Sequence, residues 1–266
     1  MQIPTVRLGS LEVSRFIIGG NPFSGFSHQS KDRDAEMRAW YTDERIVETL
    51  FQAEALGLTT AILRGDDHIA RCLAEYWRQG GTMRWVAQTA SQATTQMDAV
   101  RFCVDHGASA CYIHGGIVDN YVAQGRGDDL VQAVGLIRDL GLPAGIAGHE
   151  VEDFRFAEEH LDLDFYMACY YNPSSRAASP HHIHGAEERF APEDRAERVA
   201  LIQTLSRPAI HYKVLAAGRL SAAEGLADAA RNMRPGDAVC VGVHTGDNAD
   251  MLREDLEIAM AEWVPA

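Results

Sequence analysis

Short apolar runs alternate with longer amphipathic segments along this 266-residue chain, and this alternation restricts its fold more than any other feature. The runs have the length of buried strands, and the segments between them have helical spacing. Eight such pairs on a chain of about 250 residues predict an α/β fold, the (β/α)8 or TIM barrel. The expected strands cover 16–20, 60–64, 85–89, 110–114, 144–149, 165–170, 210–215 and 239–243. The expected helices cover 43–56, 69–79, 96–106, 130–140, 151–160, 192–205, 222–232 and 249–262.

A doubly wound open sheet is the alternative fold. It would carry a glycine-rich phosphate loop after the first strand, and Gly19-Gly20-Asn21-Pro22 does not have that spacing. The sequence contains no linker or low-complexity stretch. We therefore expect one barrel domain over residues 1–266.

The composition restricts the partners. A formal net charge of -14 argues against nucleic acid and anionic membranes, which need a basic surface. No apolar run approaches the ~20 residues of a membrane span, and residues 1–5 do not begin a secretion signal. Five scattered cysteines without a Cys-x-x-Cys pair fit reduced, buried thiols. We expect a cytoplasmic protein that binds a small polar molecule, and self-association into a homo-oligomer is left open.

Lysine usage draws attention to one position. Lys31 and Lys213 are the only lysines, and apart from histidine every other basic side chain is an arginine. Lys213 lies in the apolar run 208–218, where an unpaired ammonium group would cost several kcal/mol or lose its proton. A functional lysine is the favoured interpretation, and the alternative is a structural pair with a buried carboxylate.

In such a barrel the chemistry is carried at the carboxyl ends of the strands, so the strand assignments predict a site. Nearly all eight ends carry titratable or amide groups, which favours a polar substrate. The candidate catalytic residues are Lys213, His114, His149, Glu150 and Tyr171. The candidate substrate-binding residues are Asn21, Arg64, Gln88, Asn172 and Arg219.

Three stretches resemble the aldo/keto reductase superfamily, namely 6–20, 110–114 and 239–259. The resemblance implies an N-terminal hairpin that plugs the barrel and an active-site histidine, here His114, after the fourth strand. The family also uses an Asp and a Tyr after strand 2 and a Lys after strand 3. This chain has no tyrosine in 59–68 and carries Gln88 in place of the lysine. The acidic loop 244–250 would repel the ribose phosphate of NADP, so we expect weak or no NADPH binding.

The remaining groups suit a lyase, aldolase, isomerase or epimerase without a cofactor. Lys213 would form a Schiff base or hold an enolate, and the histidines would move protons. One alternative is a divalent-metal enzyme with the ligands His114, His149, Glu150 and His244, which Cys169 could join. A NAD(P)H-dependent reductase with a rebuilt site and a non-catalytic binding protein are the others. The cluster at 181–184 is interpreted as a polar loop or lid in preference to a metal site.

Overall fold

The computed structural model describes residues 2–172, 174–181 and 189–263. Eight parallel strands close into one barrel, which confirms the expected fold class. Each barrel strand pairs with the next along the chain, and the last pairs with the first, with Val239 opposite Phe16. The strands are β1 (Thr5–Leu8), β2 (Leu11–Ser14), β3 (Phe16–Gly19), β4 (Thr60–Arg64), β5 (Arg84–Gln88), β6 (Ala110–Ile113), β7 (Ala144–Gly148), β8 (Phe165–Cys169), β9 (Ala209–Tyr212) and β10 (Ala238–Gly242).

All eight expected helices are present, with ends that differ from the prediction by no more than three residues. Two further helices were not predicted, one before the first expected helix and one directly after β6. In chain order the helices are α1 (Lys31–Trp40), α2 (Asp43–Ala55), α3 (Asp67–Arg78), α4 (Gln96–Asp105), α5 (Gly115–Ala123), α6 (Gly127–Asp139), α7 (Val151–His160), α8 (Pro192–Ile202), α9 (Ala222–Asn232) and α10 (Met251–Glu262).

The two unpredicted helices lack the usual sequence signals. Helix α1 is polar and buries little, and it is started by the Ser30 hydroxyl, which accepts the Arg33 amide hydrogen. Helix α5 begins with two glycines, which are poor helix formers, and buries nearly every residue of its first two turns. A helix buried on all sides has no polar face, so its periodicity is hidden.

Strands β1 and β2 form an antiparallel hairpin that packs on the barrel end from which the strands start. The Ser14 amide donates to the Thr59 hydroxyl, just before β4, at 2.8 Å. The apolar hairpin side chains join the lumen core with Ile17, Ile62 and Val86. Burial of these side chains closes this end and leaves the carboxyl ends of the strands as the open mouth.

The larger group of buried apolar side chains packs outside the lumen, between the barrel strands and the surrounding helices. All five cysteines are free and buried, in agreement with the expectation of reduced thiols. Within the described ranges, no helix combines the length and the apolar character needed to cross a membrane.

Candidate active site

Lys213 lies one residue beyond the end of β9, so the expected strand 210–215 is too long. Its φ of 57° is left-handed, a conformation that ends the ladder and that costs a non-glycine residue about 1–2 kcal/mol. This backbone turns the side chain to His149, and its Nζ lies 3.0 Å from His149 Nε2. Backbone strain of this kind is typical of functional positions.

His149 is held rigidly from its other side. Its Nδ1 lies 2.8 Å from Asp119 Oδ2, and its backbone amide donates to Asp119 Oδ1 at 2.9 Å. The ring nitrogen that faces the carboxylate therefore carries the hydrogen, and Nε2 accepts from the Lys213 ammonium group. Burial, followed by the charge of Lys213, lowers the pKa of His149 well below its ordinary value. The ring is a neutral base at pH 7.

A second aspartate supports the first. Asp153 Oδ2 accepts the backbone amides of His149 at 3.1 Å and Glu150 at 2.9 Å, and the Asp153 side chain also bonds to Asp119. Burial and then the charge of Asp119 raise the pKa of Asp153 to about 8. Burial raises the pKa of Asp119 to about 6, despite the hydrogen bond from Asp153. The two carboxyl groups therefore share a proton, which Asp153 holds more tightly than Asp119, and Asp119 orients His149 toward Lys213.

His114 caps α5 at the mouth. Its Nδ1 accepts the Gly116 amide hydrogen at 3.1 Å, and its own amide donates to the Thr89 hydroxyl at 3.0 Å. Burial, then the neighbouring His149 and Arg64, lower the pKa of His114 well below its ordinary value. The neutral ring therefore carries its hydrogen on Nε2.

A cavity of about 350 Å³ opens beside Lys213, and Asn21, Arg64 and Gln88 line it, as does Tyr212. Gln88 Nε2 donates to the hydroxyl of Tyr112, its partner on the adjacent strand β6, at 3.0 Å. The Tyr212 hydroxyl lies 3.4 Å from His149 Nε2, next to the Lys213 amine. A polar site thus opens onto a cavity of the size that a small metabolite fills.

Four other candidates are not among the residues that line this cavity. Glu150 caps α7 and accepts from Asn172 Nδ2 at 2.6 Å. Tyr171 packs in the core outside the barrel, with its ring 5.8 Å from that of Phe190. Arg219 lies 4.1 Å from the same Phe190 ring and donates to the His28 carbonyl at 3.2 Å. None of these contacts involves the Lys213 amine, and the roles expected for these four residues stay predictions.

The structure does not gather the suggested metal ligands into one group. His149 is paired with Asp119, whereas His244 lies near Glu36 and Asp247. Cys169 donates its thiol hydrogen to the Gly148 carbonyl at 3.2 Å. Among the described residues, no set of mutually close ligand atoms joins His114, His149 and Glu150.

The histidine cluster at 181–184 falls largely outside the described ranges. Only His181 is described, and it is exposed; its carbonyl accepts from Arg176.

Sequence reasoning missed Asp119, Asp153 and Tyr212. Asp119 lies in α5, one of the two helices that were not predicted. Tyr212 was missed because the expected strand 210–215 extended beyond the true end of β9 at this residue. Asp153 did carry a signal, because an acid three residues after the N-cap Glu150 is typical of a capping box.

Comparisons with known proteins identify the fold. No protein-family model matches the chain, and no curated protein matches its sequence. The holo form of an aldo-keto reductase from Bacillus halodurans is 11% identical, with a TM-score of 0.64 over 100% of this chain and 92% of the other.

Enzymes with other activities are similar as well. A truncated 3-deoxy-D-arabino-heptulosonate 7-phosphate synthase from Thermotoga maritima is 14% identical, with a TM-score of 0.52 over 99% of this chain and 94% of the other. An N-acetylmannosamine-6-phosphate 2-epimerase from Clostridium perfringens is 11% identical, with a TM-score of 0.51 over 81% and 86%. Proteins of several names share this architecture, so the similarity establishes the barrel and does not single out the reductases.

Proposed function

We propose that this protein is a lyase or isomerase that works without a redox cofactor on a small, polar, sugar-like carbonyl compound. The observation that carries the proposal is the Lys213–His149–Asp119 chain, with its two contacts of 3.0 and 2.8 Å, at a cavity in the mouth of the barrel. A lysine beside an oriented base has the arrangement of an activated nucleophile.

The chain allows a balanced reaction. Transfer of a proton from the Lys213 ammonium group to His149 Nε2 leaves a neutral amine, and Asp119 stabilises the resulting imidazolium. The amine forms a C–N bond to the substrate carbonyl carbon, and the carbonyl oxygen leaves as water after it takes up two protons. The product is an iminium ion on Lys213.

The iminium ion then withdraws electrons from an adjacent bond. Cleavage of the C–H bond releases a proton to a base such as His149 and leads to isomerisation or epimerisation. Cleavage of the C–C bond next to a β-hydroxyl, with loss of the hydroxyl proton, gives an aldol fragmentation. Either cleavage leaves an enamine, and protonation of its carbon by the protonated base restores an iminium ion. Water then hydrolyses this iminium ion to the product carbonyl and the Lys213 amine, so no net oxidation or reduction occurs.

The surroundings favour an electron-rich substrate. Arg64 and Lys213 both line the cavity, so cationic groups lie where an enolate, carboxylate or phosphate would be stabilised. The neutral His114 adds a hydrogen-bond donor. Neighbouring barrels whose names denote an epimerase and a synthase of sugar phosphates are consistent with this substrate class.

The proposal is tested by proton exchange in D2O. Keto-sugars, aldoses and keto-acids are incubated with the protein, and loss of the proton next to the carbonyl is followed by NMR. At least one compound should exchange, and Lys213→Arg should lower its rate at least ~10³-fold, as expected when the nucleophile of a coupled triad is removed. Lys31→Arg is the matched control and should keep the full rate. Exchange that Lys213→Arg leaves intact would refute the lysine-centred reaction.

A second candidate function, a carbonyl reductase with a rebuilt site, is favoured by Tyr212. Its hydroxyl lies beside His149 and Lys213, where a phenol could protonate a substrate oxygen after hydride transfer. Fluorescence titration with NADH and NADPH tests this alternative. Micromolar binding of either nucleotide would place the reductase first, and no binding would remove it.

A further inference from the structure

A second group of chemically active side chains surrounds His244, which follows β10, and does not include Lys213 or His149. His244 is only 4% exposed, and neither ring nitrogen has a hydrogen-bond partner within the described part of the chain. Its ring packs against those of Trp40 and Tyr41, at centroid distances of 6.2 and 5.6 Å. A buried imidazole without partners costs about 1–3 kcal/mol, so its retention requires an explanation.

Two carboxylates approach this ring. A side-chain oxygen of Glu36, one of Asp247 and a ring nitrogen of His244 all lie within 4.8 Å of one another. The Asp247 amide donates to the His244 carbonyl at 3.0 Å, which fixes these two residues in one turn. The carboxylates belong to partly exposed side chains that can move toward a common centre.

Arg33 orients the carboxylates of Glu36 and Asp247 and contacts one oxygen of each. Its guanidinium bonds to Glu36 Oε2 at 2.8 Å and to Asp247 Oδ2. Each carboxylate keeps its second oxygen, which a cation can bind. Hydrogen bonds from a neighbouring group are a usual means of fixing carboxylate ligands, and mutation of such groups typically weakens metal affinity 10–100-fold.

Space next to the ring is provided by Gly246. A Cβ at this position would lie 2.9 Å from His244 Nε2 and 3.0 Å from its Cε1, so any other residue would fill the volume beside the nitrogen. His244 and Asp247 also line the 350 Å³ cavity that reaches Lys213.

We propose that His244, Asp247 and Glu36 bind a divalent transition-metal ion, of the zinc or manganese class, beside the cavity that Lys213 also lines. One imidazole nitrogen and two carboxylate oxygens are the donor set that such ions accept. Three protein ligands leave coordination positions open toward the cavity, as in catalytic metal sites. The ligand atoms need to close to a metal distance of about 2.0–2.2 Å, which movement of the exposed Glu36 and Asp247 side chains allows.

The site is tested by metal titration of the chelator-treated full chain, with Mn²⁺ followed by electron paramagnetic resonance and Zn²⁺ by calorimetry. One equivalent should bind to the wild type with a micromolar or lower Kd. His244→Gln should weaken binding at least 100-fold and Asp247→Asn at least 10-fold. Asp250→Asn, an equal charge change in the same loop at a residue paired with Arg253, should leave the Kd unchanged.

A second variant keeps the test decisive if His244→Gln does not fold. Gly246→Ala retains every ligand but fills the space beside Nε2, and it should weaken binding at least 10-fold. Absence of saturable binding to the wild type, or equal affinity in the wild type and Gly246→Ala, would overturn the proposal. The readout is binding and not turnover, so its outcome is independent of the proposed lysine chemistry.

Discussion

The barrel contains two buried histidine–aspartate pairs that use the same residue types for different purposes. His211 and Asp237 lie between the strands and the helices, with a 3.2 Å contact, and both are fully buried. His149 and Asp119 form a 2.8 Å contact at the mouth. The Tyr170 hydroxyl lies 3.0 Å from the remaining ring nitrogen of His211, Nδ1. The remaining nitrogen of His149, Nε2, faces the Lys213 amine.

The carboxylates of the two pairs differ in electrostatics. Burial alone would raise the pKa of Asp237, but hydrogen bonds from His211, Arg234 and the Ala209 amide hold it at about 2. Burial raises the pKa of Asp119 to about 6. A pair that is closed by donors on every side stabilises the fold, while a pair that is open to an amine at a cavity is available for proton transfer. The two pairs therefore differ in the groups that bind the histidine and the aspartate from outside, and not in the histidine–aspartate contact itself.

The largest expected contrast comes from removing each carboxylate charge. Asp119→Asn should lower kcat by about 10³–10⁴-fold, because His149 loses the partner that fixes its tautomer. Asp237→Asn should reduce the free energy of unfolding by about 3–5 kcal/mol, because it removes the buried carboxylate that pairs with Arg234, while kcat of the folded fraction remains near that of the wild type. Chemical denaturation and steady-state kinetics measure both. Equal losses of activity in the two variants would contradict the division of roles.

The second contrast is the pH dependence of stability. Asp153 has a pKa of about 8 in the folded protein, so this residue binds its proton more tightly in the folded state than in the unfolded state. Its contribution to the free energy of unfolding should therefore fall as pH rises from about 4 to about 8, by up to about 1.4 kcal/mol per pH unit, and then level off. Asp153→Asn mimics the protonated acid and should remove this slope in urea denaturation at pH 5–9.

The opposite sign is expected for the structural pair. Asp237 has a depressed pKa, so its stabilising contribution is complete above about pH 4 and is lost below it. Asp237→Asn should therefore leave the slope between pH 5 and 8 unchanged. An unchanged slope in Asp153→Asn would show that the carboxyl pair at the mouth does not share a proton.

A third contrast concerns the strained backbone at Lys213. Lys213→Gly should raise the free energy of unfolding by about 1 kcal/mol, because glycine adopts a positive φ without a Cβ clash. The same change should abolish turnover. Lys213→Ala serves as the control, since it removes the amine and keeps the strain. Equal stability of the two variants would indicate that the left-handed conformation is not strained.

The smallest expected effects come from the two tyrosines. Tyr170→Phe should reduce the free energy of unfolding by about 1 kcal/mol through the lost bond to His211. Tyr212→Phe should change stability by less than about 0.5 kcal/mol, because its 3.4 Å contact is long, but should lower kcat several-fold. Thermal unfolding and kinetics on both variants decide whether the two hydroxyls differ in this way.

The sequence predicted most of the barrel because eight apolar runs and eight amphipathic segments obey simple periodicities. Lys213, His149 and His114 were placed at the mouth for the same reason, since strand ends meet there. Asp119 could not be found, because α5 begins with two glycines and is buried over residues 115–120, so this part of the helix has no amphipathic pattern. Tyr212 was missed because the end of β9 depends on the backbone turn at Lys213, which no neighbouring glycine or proline indicates.

The most direct test of the reactive amine compares the reactivity of the chain's two lysines. The protein is treated with glycolaldehyde and borohydride, and the adducts on Lys213 and on the exposed Lys31 are quantified by peptide mass spectrometry. The Lys213–His149–Asp119 arrangement predicts an adduct mainly on Lys213, although Lys31 is more accessible, and predicts loss of this preference in Asp119→Asn. Modification mainly on Lys31, or a preference for Lys213 that Asp119→Asn leaves unchanged, would contradict an amine activated by the histidine–aspartate pair.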